Sequence, residues 1–117
     1  MKELAFRLTR RDDLKAFLEE KCKQMNINTA VVLSGVGCVN EANIRLANAS
    51  KTMNLKGDYE IVSLTDTVSN GKAHIHISLA DVEGNCIGGH LMNGCLINTT
   101  CELVLGILEE YESNRSF

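Results

Sequence analysis

The chain has 117 residues, of which 44% are hydrophobic and 23% charged. This length and balance predict a single globular domain and exclude an intrinsically disordered chain. Twelve basic against fifteen acidic residues give a net charge of −3, which makes direct DNA binding doubtful because contact with phosphates normally needs a basic surface. No apolar run approaches the roughly 20 residues of a membrane span and no signal peptide is recognisable, so we expect a cytoplasmic protein without membrane contact.

The N-terminal quarter of the chain predicts a strand followed by the main helix. Leu4, Phe6 and Leu8 alternate with their neighbours, which is the period-two pattern of a strand. From Asp12 onward the apolar spacing changes to three and four residues, which predicts a helix with Asp12 or Asp13 as its N-cap. The buried stripe of this helix is expected to comprise Leu14, Phe17, Leu18, Cys22 and Met25.

The remainder of the chain predicts short strands in a largely antiparallel sheet. The candidate strands cover residues 29–33, 42–47, 59–68, 73–82, 86–92 and 96–108. The Asn-Gly pair in Ser69-Asn70-Gly71 is typical of tight hairpins, and further turns are predicted at Lys56-Gly57-Asp58 and Glu83-Gly84-Asn85. We therefore predict one α+β domain over residues 1–110, in which one main N-terminal helix packs on the sheet, and a C-terminal tail over residues 111–117.

The cysteines indicate free thiols in place of a disulfide framework. Their number is odd and no two are spaced as Cys-x-x-Cys, which argues against disulfide pairing and against a zinc ribbon. We expect at least three of the five to be small buried hydrophobic residues in a reducing compartment. The five are Cys22, Cys38, Cys86, Cys95 and Cys101.

A glycine pair after the second candidate strand invites comparison with a nucleotide-binding loop. Gly35 and Gly37 begin a Gly-x-Gly pattern, but Asn40 stands at the position of the third glycine and no helix is predicted to follow. We therefore predict a glycine-mediated turn or close backbone packing in residues 34–40. No Gly-x-Ser-x-Gly or papain-type cysteine segment occurs, so the sequence gives no support for covalent catalysis.

All three histidines of the chain lie within 17 consecutive residues. His74 and His76 are two positions apart on a candidate strand, so both project from one face, while Ile75 and Ile77 project from the other toward the core. Two imidazoles at this spacing can bind one metal ion, and His90 would complete a three-nitrogen site with one open position, as in catalytic or ligand-exchanging zinc sites. The alternative is that all three are ordinary polar residues of half-exposed strands.

The candidate strands 73–82 and 86–92, which carry the histidines, are expected to form a hairpin. The register of this hairpin decides whether His90 joins the metal site. One register places His90 opposite Ile77, on the face away from the other two histidines. The other places it beside His76, and it arises from a three-residue loop at Glu83-Gly84-Asn85 or from a bulge at Gly88-Gly89. We favour the second register because adjacent glycines within a strand are a common sign of a bulge.

Two carboxylates interrupt otherwise apolar candidate strands, namely Glu60 and Glu102. A carboxylate is costly to bury unless it is paired. Each therefore faces a partner or the histidine cleft, or else lies on a solvated face, and the sequence leaves both alternatives open. No Asp or Glu has a clear claim as a general base, so we assign no catalytic residue.

The segments around the histidines resemble the plant and prokaryote conserved (PPC) domain family. The similar motifs are Ala73-His74-Ile75-His76-Ile77-Ser78-Leu79-Ala80-Asp81, Gly88-Gly89-His90-Leu91 and Thr99-Thr100-Cys101-Glu102, with support from residues 59–64 and 27–37. The similarity extends from about residue 4 to residue 108. It implies an α+β fold, a homotrimer as the usual assembly and a metal site formed by His74, His76 and His90.

Two family features differ in this chain. Plant members carry an AT-hook, a basic segment around Arg-Gly-Arg-Pro that enters the minor groove of AT-rich DNA, whereas this chain contains no proline. Plant members also have a Gly-Arg-Phe-Glu-Ile-Leu segment associated with partner proteins, where this chain has Gly57-Asp58-Tyr59-Glu60-Ile61-Val62. The chain is more similar to stand-alone prokaryotic members without an AT-hook.

Two main functional hypotheses follow. The first is a homotrimeric binding or regulatory module that contacts other proteins and reaches DNA only through them. The alternative is a zinc-dependent enzyme in which His74, His76 and His90 hold the ion and the open position activates water or polarises a small substrate.

Overall fold

The computed structural model describes residues 1–111, so the predicted tail lies outside the described residues except for Tyr111. No helix in this range is long and apolar enough to cross a membrane. The elements in chain order are β1 (Lys2–Thr9), α1 (Leu14–Gln24), β2 (Thr29–Arg45), a 3-10 turn (Ala47–Ala49), β3 (Thr52–Ser69), β4 (Lys72–Ala80), β5 (Cys86–Leu91) and β6 (Leu96–Ile107).

The strands form one sheet in the order β1-β6-β2-β3-β4-β5. Every strand pairing is antiparallel. The sheet curls back on itself, so that β5 pairs both with β4 and with the end of β2, where Arg45 lies opposite His90 and Ile44 opposite Leu91. This architecture confirms the prediction of a mostly antiparallel sheet with one helix.

Helix α1 begins at the predicted cap. The Asp13 side chain accepts a hydrogen bond from the Ala16 backbone N–H at 3.2 Å, which satisfies one of the donors left free at a helix start. Leu14, Leu18 and Cys22 are fully buried. The prediction that Met25 belongs to the buried stripe is wrong, because the helix ends at Gln24 and the Met25 side chain is 45% exposed.

The predicted break at residues 34–40 is not a turn. Strand β2 runs without reversal from Thr29 to Arg45 and pairs with β6 through this segment. A Cβ atom on Gly37 would lie 2.6 Å from both the Cys101 Cα and the Thr100 carbonyl oxygen, so glycine is needed here for close approach of two backbones. Of the two predicted roles for this glycine pair, close packing is therefore the observed one.

The predicted turn at Lys56-Gly57-Asp58 is also wrong, because β3 continues through it from Thr52 to Ser69. Val39 pairs with Tyr59, and Glu41 pairs with Lys56. The two β3 residues between Lys56 and Tyr59 therefore lie opposite the single β2 residue between Val39 and Glu41. This is a β-bulge, which keeps both strands in the sheet while increasing their twist. In contrast, the Asn-Gly turn after β3 is confirmed: Asn70 and Gly71 have φ values of 54° and 75°, as a two-residue hairpin turn requires.

All five cysteines are free thiols. Cys22, Cys95 and Cys101 are fully buried in the core, Cys38 is half-buried and Cys86 is exposed. This distribution confirms the prediction that at least three of the thiols serve as small hydrophobic residues.

The buried thiols should be slow to react. Burial raises the pKa of Cys22 to about 11, of Cys95 to about 12 and of Cys101 to about 11, so at about pH 8 they stay protonated, whereas the thiolate is the reactive form. With a chromogenic disulfide reagent we expect Cys86 to react first and these three to react only after unfolding in urea. Cys86→Ser should remove the first phase, and equal rates for all five thiols in native protein would contradict the burial described here.

Candidate metal centre

Strand β4 divides its side chains between the core and the surface. Ile75 is 0% and Ile77 is 3% exposed, while His74 and His76 project from the opposite, exposed face. Alternation along a strand requires this division once the isoleucines are buried. The predicted placement of the two histidines is therefore confirmed.

The hairpin between β4 and β5 has the register that brings the third histidine into the cluster. His76 lies directly opposite His90, and Ile77 opposite Gly89. The Asp81 N–H donates to the Asn85 carbonyl oxygen at 2.9 Å and the Gly84 N–H donates to the Asp81 carbonyl oxygen at 3.0 Å. These bonds close a three-residue loop over residues 82–84, one position earlier than predicted, and the pairing of β4 with β5 contains no bulge.

The glycine pair in β5 serves close packing between two strands instead of forming a bulge. A Cβ atom on Gly88 would overlap the Ile77 carbonyl oxygen of β4. A Cβ atom on Gly89 would lie 2.8 Å from the Arg45 carbonyl oxygen and 2.8 Å from the Ile44 Cγ2 of β2. The absence of side chains at these two positions lets β5 fit between β4 and the end of β2, and this holds His90 against His76.

The three imidazoles converge on one point. Their ring centroids are 5.1 Å apart for His74 and His76, 5.2 Å for His74 and His90, and 5.7 Å for His76 and His90. One nitrogen from each ring can be chosen so that all three lie within 4.8 Å of one another. Tetrahedral zinc holds its nitrogen ligands about 3.3 Å apart, so a modest rotation of these rings suffices, and the all-nitrogen donor set suits zinc.

Two carboxylates accept hydrogen bonds from the backbone at the start of β4. The Glu19 side chain of α1 accepts a hydrogen bond from the Ala73 N–H at 2.9 Å, and Asp66 Oδ1 accepts one from the His74 N–H at 3.1 Å. Strand β5 pairs with β4 only from His76 onward, so the Glu19 carboxylate supplies an acceptor on the side that β5 does not reach. Asp66 lies on the other side, in β3, which pairs with the whole length of β4. Neither residue was predicted from the sequence. Glu19 belongs to the pattern of α1 and Asp66 to that of β3, and neither pattern links its carboxylate to the histidines.

The charge environment favours the neutral, metal-binding form of His90. Its pKa is lowered, first by partial burial and then by the positive charge of Arg45, with smaller effects from His74, His76 and Lys15. An imidazole must be unprotonated to bind a metal ion, so these effects keep His90 available as a ligand near neutral pH.

A surface cleft of about 560 Å³ opens beside the cluster. No Asp or Glu is among the described residues that line it. The lining residues are Arg45, Leu46, Ala47, Asn48, His74, His76, Gly88, Gly89 and His90. Arg45 is the one lining residue with a permanent charge, and the sequence analysis did not select it.

Neither Glu60 nor Glu102 reaches this cleft. Glu102 is exposed and forms an ion pair with Arg7 at 3.1 Å. Glu60 is also exposed and pairs with Ala80, at the end of β4 remote from His74. Glu102 therefore faces a partner, Arg7, although both side chains are exposed, and Glu60 lies on a solvated face.

Comparison with known proteins agrees with this fold. Residues 1–109 match the family of the Plants and Prokaryotes Conserved (PCC) domain. The chain belongs to this family. PCC and PPC are two abbreviations for the same family. The resemblance of the histidine motifs to this family is thereby confirmed over nearly all of the described residues.

Individual relatives extend the comparison to sequence and structure. A segment of the bifunctional protein GlmU of Synechococcus sp. (strain JA-3-3Ab) is 38% identical over 109 residues, which is 93% of this chain and 18% of that protein. A Salmonella enterica protein of known structure is 31% identical, with a TM-score of 0.88 over 92% of this chain and 78% of that one. A metal-containing protein of Archaeoglobus fulgidus is 29% identical, with a TM-score of 0.82 over 97% and 83% of the two chains.

The close packing at Gly89 of this PPC domain can be tested by adding one methyl group. We expect Gly89→Ala to lower the free energy of unfolding in urea by about 1–3 kcal/mol, because the new Cβ meets the backbone of β2, which cannot move aside alone. Cys86→Ala, on the same strand but exposed, is the control and should change it by less than about 0.5 kcal/mol. Equal stability of the two variants would show that β5 tolerates side chains at its glycine positions.

Proposed function

We propose that this PPC domain is a non-enzymatic binding module, and that His74, His76 and His90 hold one zinc ion per chain. The observation that carries the proposal is the convergence of the three imidazoles, with one nitrogen of each within 4.8 Å of the others. Three protein ligands leave one coordination position open to a further ligand. The cleft that these histidines line would give a further ligand access to that position.

The donor set supports zinc, and a relative supports the presence of a metal ion. The three candidate ligands are imidazoles from two adjacent strands, held by paired backbones and not by a loose loop, which suits a borderline metal such as zinc. The structurally similar protein of Archaeoglobus fulgidus is a metal-containing protein. Zinc bound here would supply a positively charged centre with one exchangeable position.

A zinc-dependent enzyme acting on a small substrate is the alternative. Catalysis that moves protons needs a general acid or base within hydrogen-bond reach of the reacting group. No Asp or Glu is among the described residues lining the cleft, and its three histidines are committed as ligands. We therefore favour ligand binding over turnover.

Metal analysis of protein purified without an affinity tag tests the zinc proposal. We expect about one zinc per chain in the wild type. Loss of a residue that merely supports a ligand costs 10–100-fold in affinity, so His76→Ala, which removes a ligand, should weaken zinc binding by more than about 100-fold in competition with a chromogenic chelator.

The matched control is Ser78→Ala, since Ser78 follows His76 on the same face of β4 and has no place in the cluster. It should keep the wild-type zinc content. Less than about one zinc per three chains in the wild type, or a content unchanged by His76→Ala, would contradict a site built from these histidines.

We also propose that the module assembles as a homotrimer that binds other proteins. Two strand edges are open within the described residues: β1 pairs with β6 alone, and residues 52–59 of β3 pair only with β2. Open edges are common sites of association between chains. Leu33, Val36 and Val62 are 48%, 62% and 58% exposed on the neighbouring strands β2 and β3, and such apolar side chains favour burial against another protein.

Light scattering during size exclusion tests the assembly. We expect a mass three times the 12.8 kDa of one chain, and we expect Val62→Glu to reduce it because a buried charge opposes association. Val82→Glu is the control, since Val82 is 82% exposed at the tip of the β4–β5 hairpin. A wild type that elutes as a monomer, or equal effects of the two variants, would contradict a trimer formed through this surface.

A further inference from the structure

Arg45 stands in line with two of the histidines across three strands. It lies directly opposite His90 where β2 meets β5, and His90 lies directly opposite His76 where β5 meets β4. Residues directly opposite each other in neighbouring antiparallel strands project to the same face, with Cβ atoms about 5 Å apart. The guanidinium group therefore belongs to the same cleft as the imidazoles.

This arginine has no countercharge within residues 1–111. The ion pairs in this range join Arg7 with Glu102 and Lys15 with Glu19. Lys15, whose charge also affects the pKa of His90, is therefore already paired. No Asp or Glu is among the cleft residues in this range, although acidic residues outnumber basic ones in the whole chain. Arg45 is half-buried, and its guanidinium group has five N–H donors and no acidic partner within residues 1–111.

We propose that Arg45 binds the anionic group of a small oxyanion, a carboxylate or a phosphate, in the cleft beside the histidines. The proposal deepens the zinc-binding function and rests on it for one feature only, namely that another oxygen of the same anion occupies the open coordination position. The planar fork of a guanidinium matches two oxygens of a carboxylate or phosphate. A cleft of about 560 Å³ accommodates a small molecule and not a folded partner.

The experiment uses the full chain loaded with cobalt in place of zinc, because the visible spectrum of cobalt reports a change at the open position. Acetate and inorganic phosphate are titrated separately at constant ionic strength, with chloride as the reference. We expect saturable spectral changes with at least one oxyanion, and the tighter of the two identifies the source of the anionic group.

The variants isolate the role of Arg45. Arg45→Gln should weaken oxyanion binding by about 10- to 100-fold, since charge-assisted hydrogen bonds are lost, while cobalt content does not fall, because Arg45 is not one of the proposed metal ligands. Arg45→Lys should be intermediate because it keeps the charge without the fork. Lys51→Gln is the control, as it changes the net charge equally but does not line the cleft, and it should bind the anion like the wild type.

A second readout separates this proposal from that of the metal site. In metal-free protein, the Arg45 side-chain N–H signal in NMR should shift on addition of the preferred oxyanion, and this shift should be absent with chloride. Absence of bound cobalt with a retained NMR shift would contradict the metal site and support the role of Arg45. No response to either oxyanion in both readouts, or equal effects of Arg45→Gln and Lys51→Gln, would overturn the proposal.

Discussion

The pairing of His76 with His90 is the constraint on which the candidate site depends. A shift of β5 by one residue would turn every side chain of the strand to the opposite face, and His90 would then enter the core in place of Leu91, which is fully buried. The three-residue loop after β4 and the burial of Leu91 therefore specify the same register independently. Agreement between turn geometry and core packing is what makes such a register secure.

The site also depends on how the two ends of β4 are held, because their backbone groups have different hydrogen-bond partners. At its C-terminal end the strand is held by backbone bonds to β3 and β5 on both sides. At its N-terminal end β5 is missing, and the Glu19 carboxylate of α1 accepts the Ala73 N–H on that side, while the Asp66 carboxylate of β3 accepts the His74 N–H on the other. Helix α1 thus contributes to the position of His74 without contributing a ligand, and Lys15 balances the charge of Glu19 at 3.2 Å.

Much of the fold and of the candidate site could be predicted because the signals are local. The cap at Asp13, the Asn-Gly hairpin and the alternation of His74 and His76 with buried isoleucines each depend on residues within a few positions of one another. The unbroken courses of β2 and β3 could not be predicted, because glycine signals a turn as readily as it signals close approach of a distant strand. The Cβ of residue 37 would meet the backbone of β6, and nothing near Gly37 in the sequence reveals that neighbour.

Arg45 escaped the sequence analysis for the same reason, and its position bears on how the site works. It ends β2 and comes beside His90 only because the sheet curls back on itself. A permanent cation such as Arg45 would disfavour a divalent metal ion beside it. Like charges a few ångströms apart repel by several kcal/mol even near a protein surface. Burial is the largest cause of the lowered pKa of His90, and the positive charge of Arg45 is the next. An anion held between guanidinium and metal reverses the sign of the interaction, because each positive group then faces a negative one. If metal and anion bind as proposed, the arginine that opposes binding of the metal alone would favour binding of the two together. The two ligands would then be thermodynamically coupled, and each would raise the affinity for the other by the same factor.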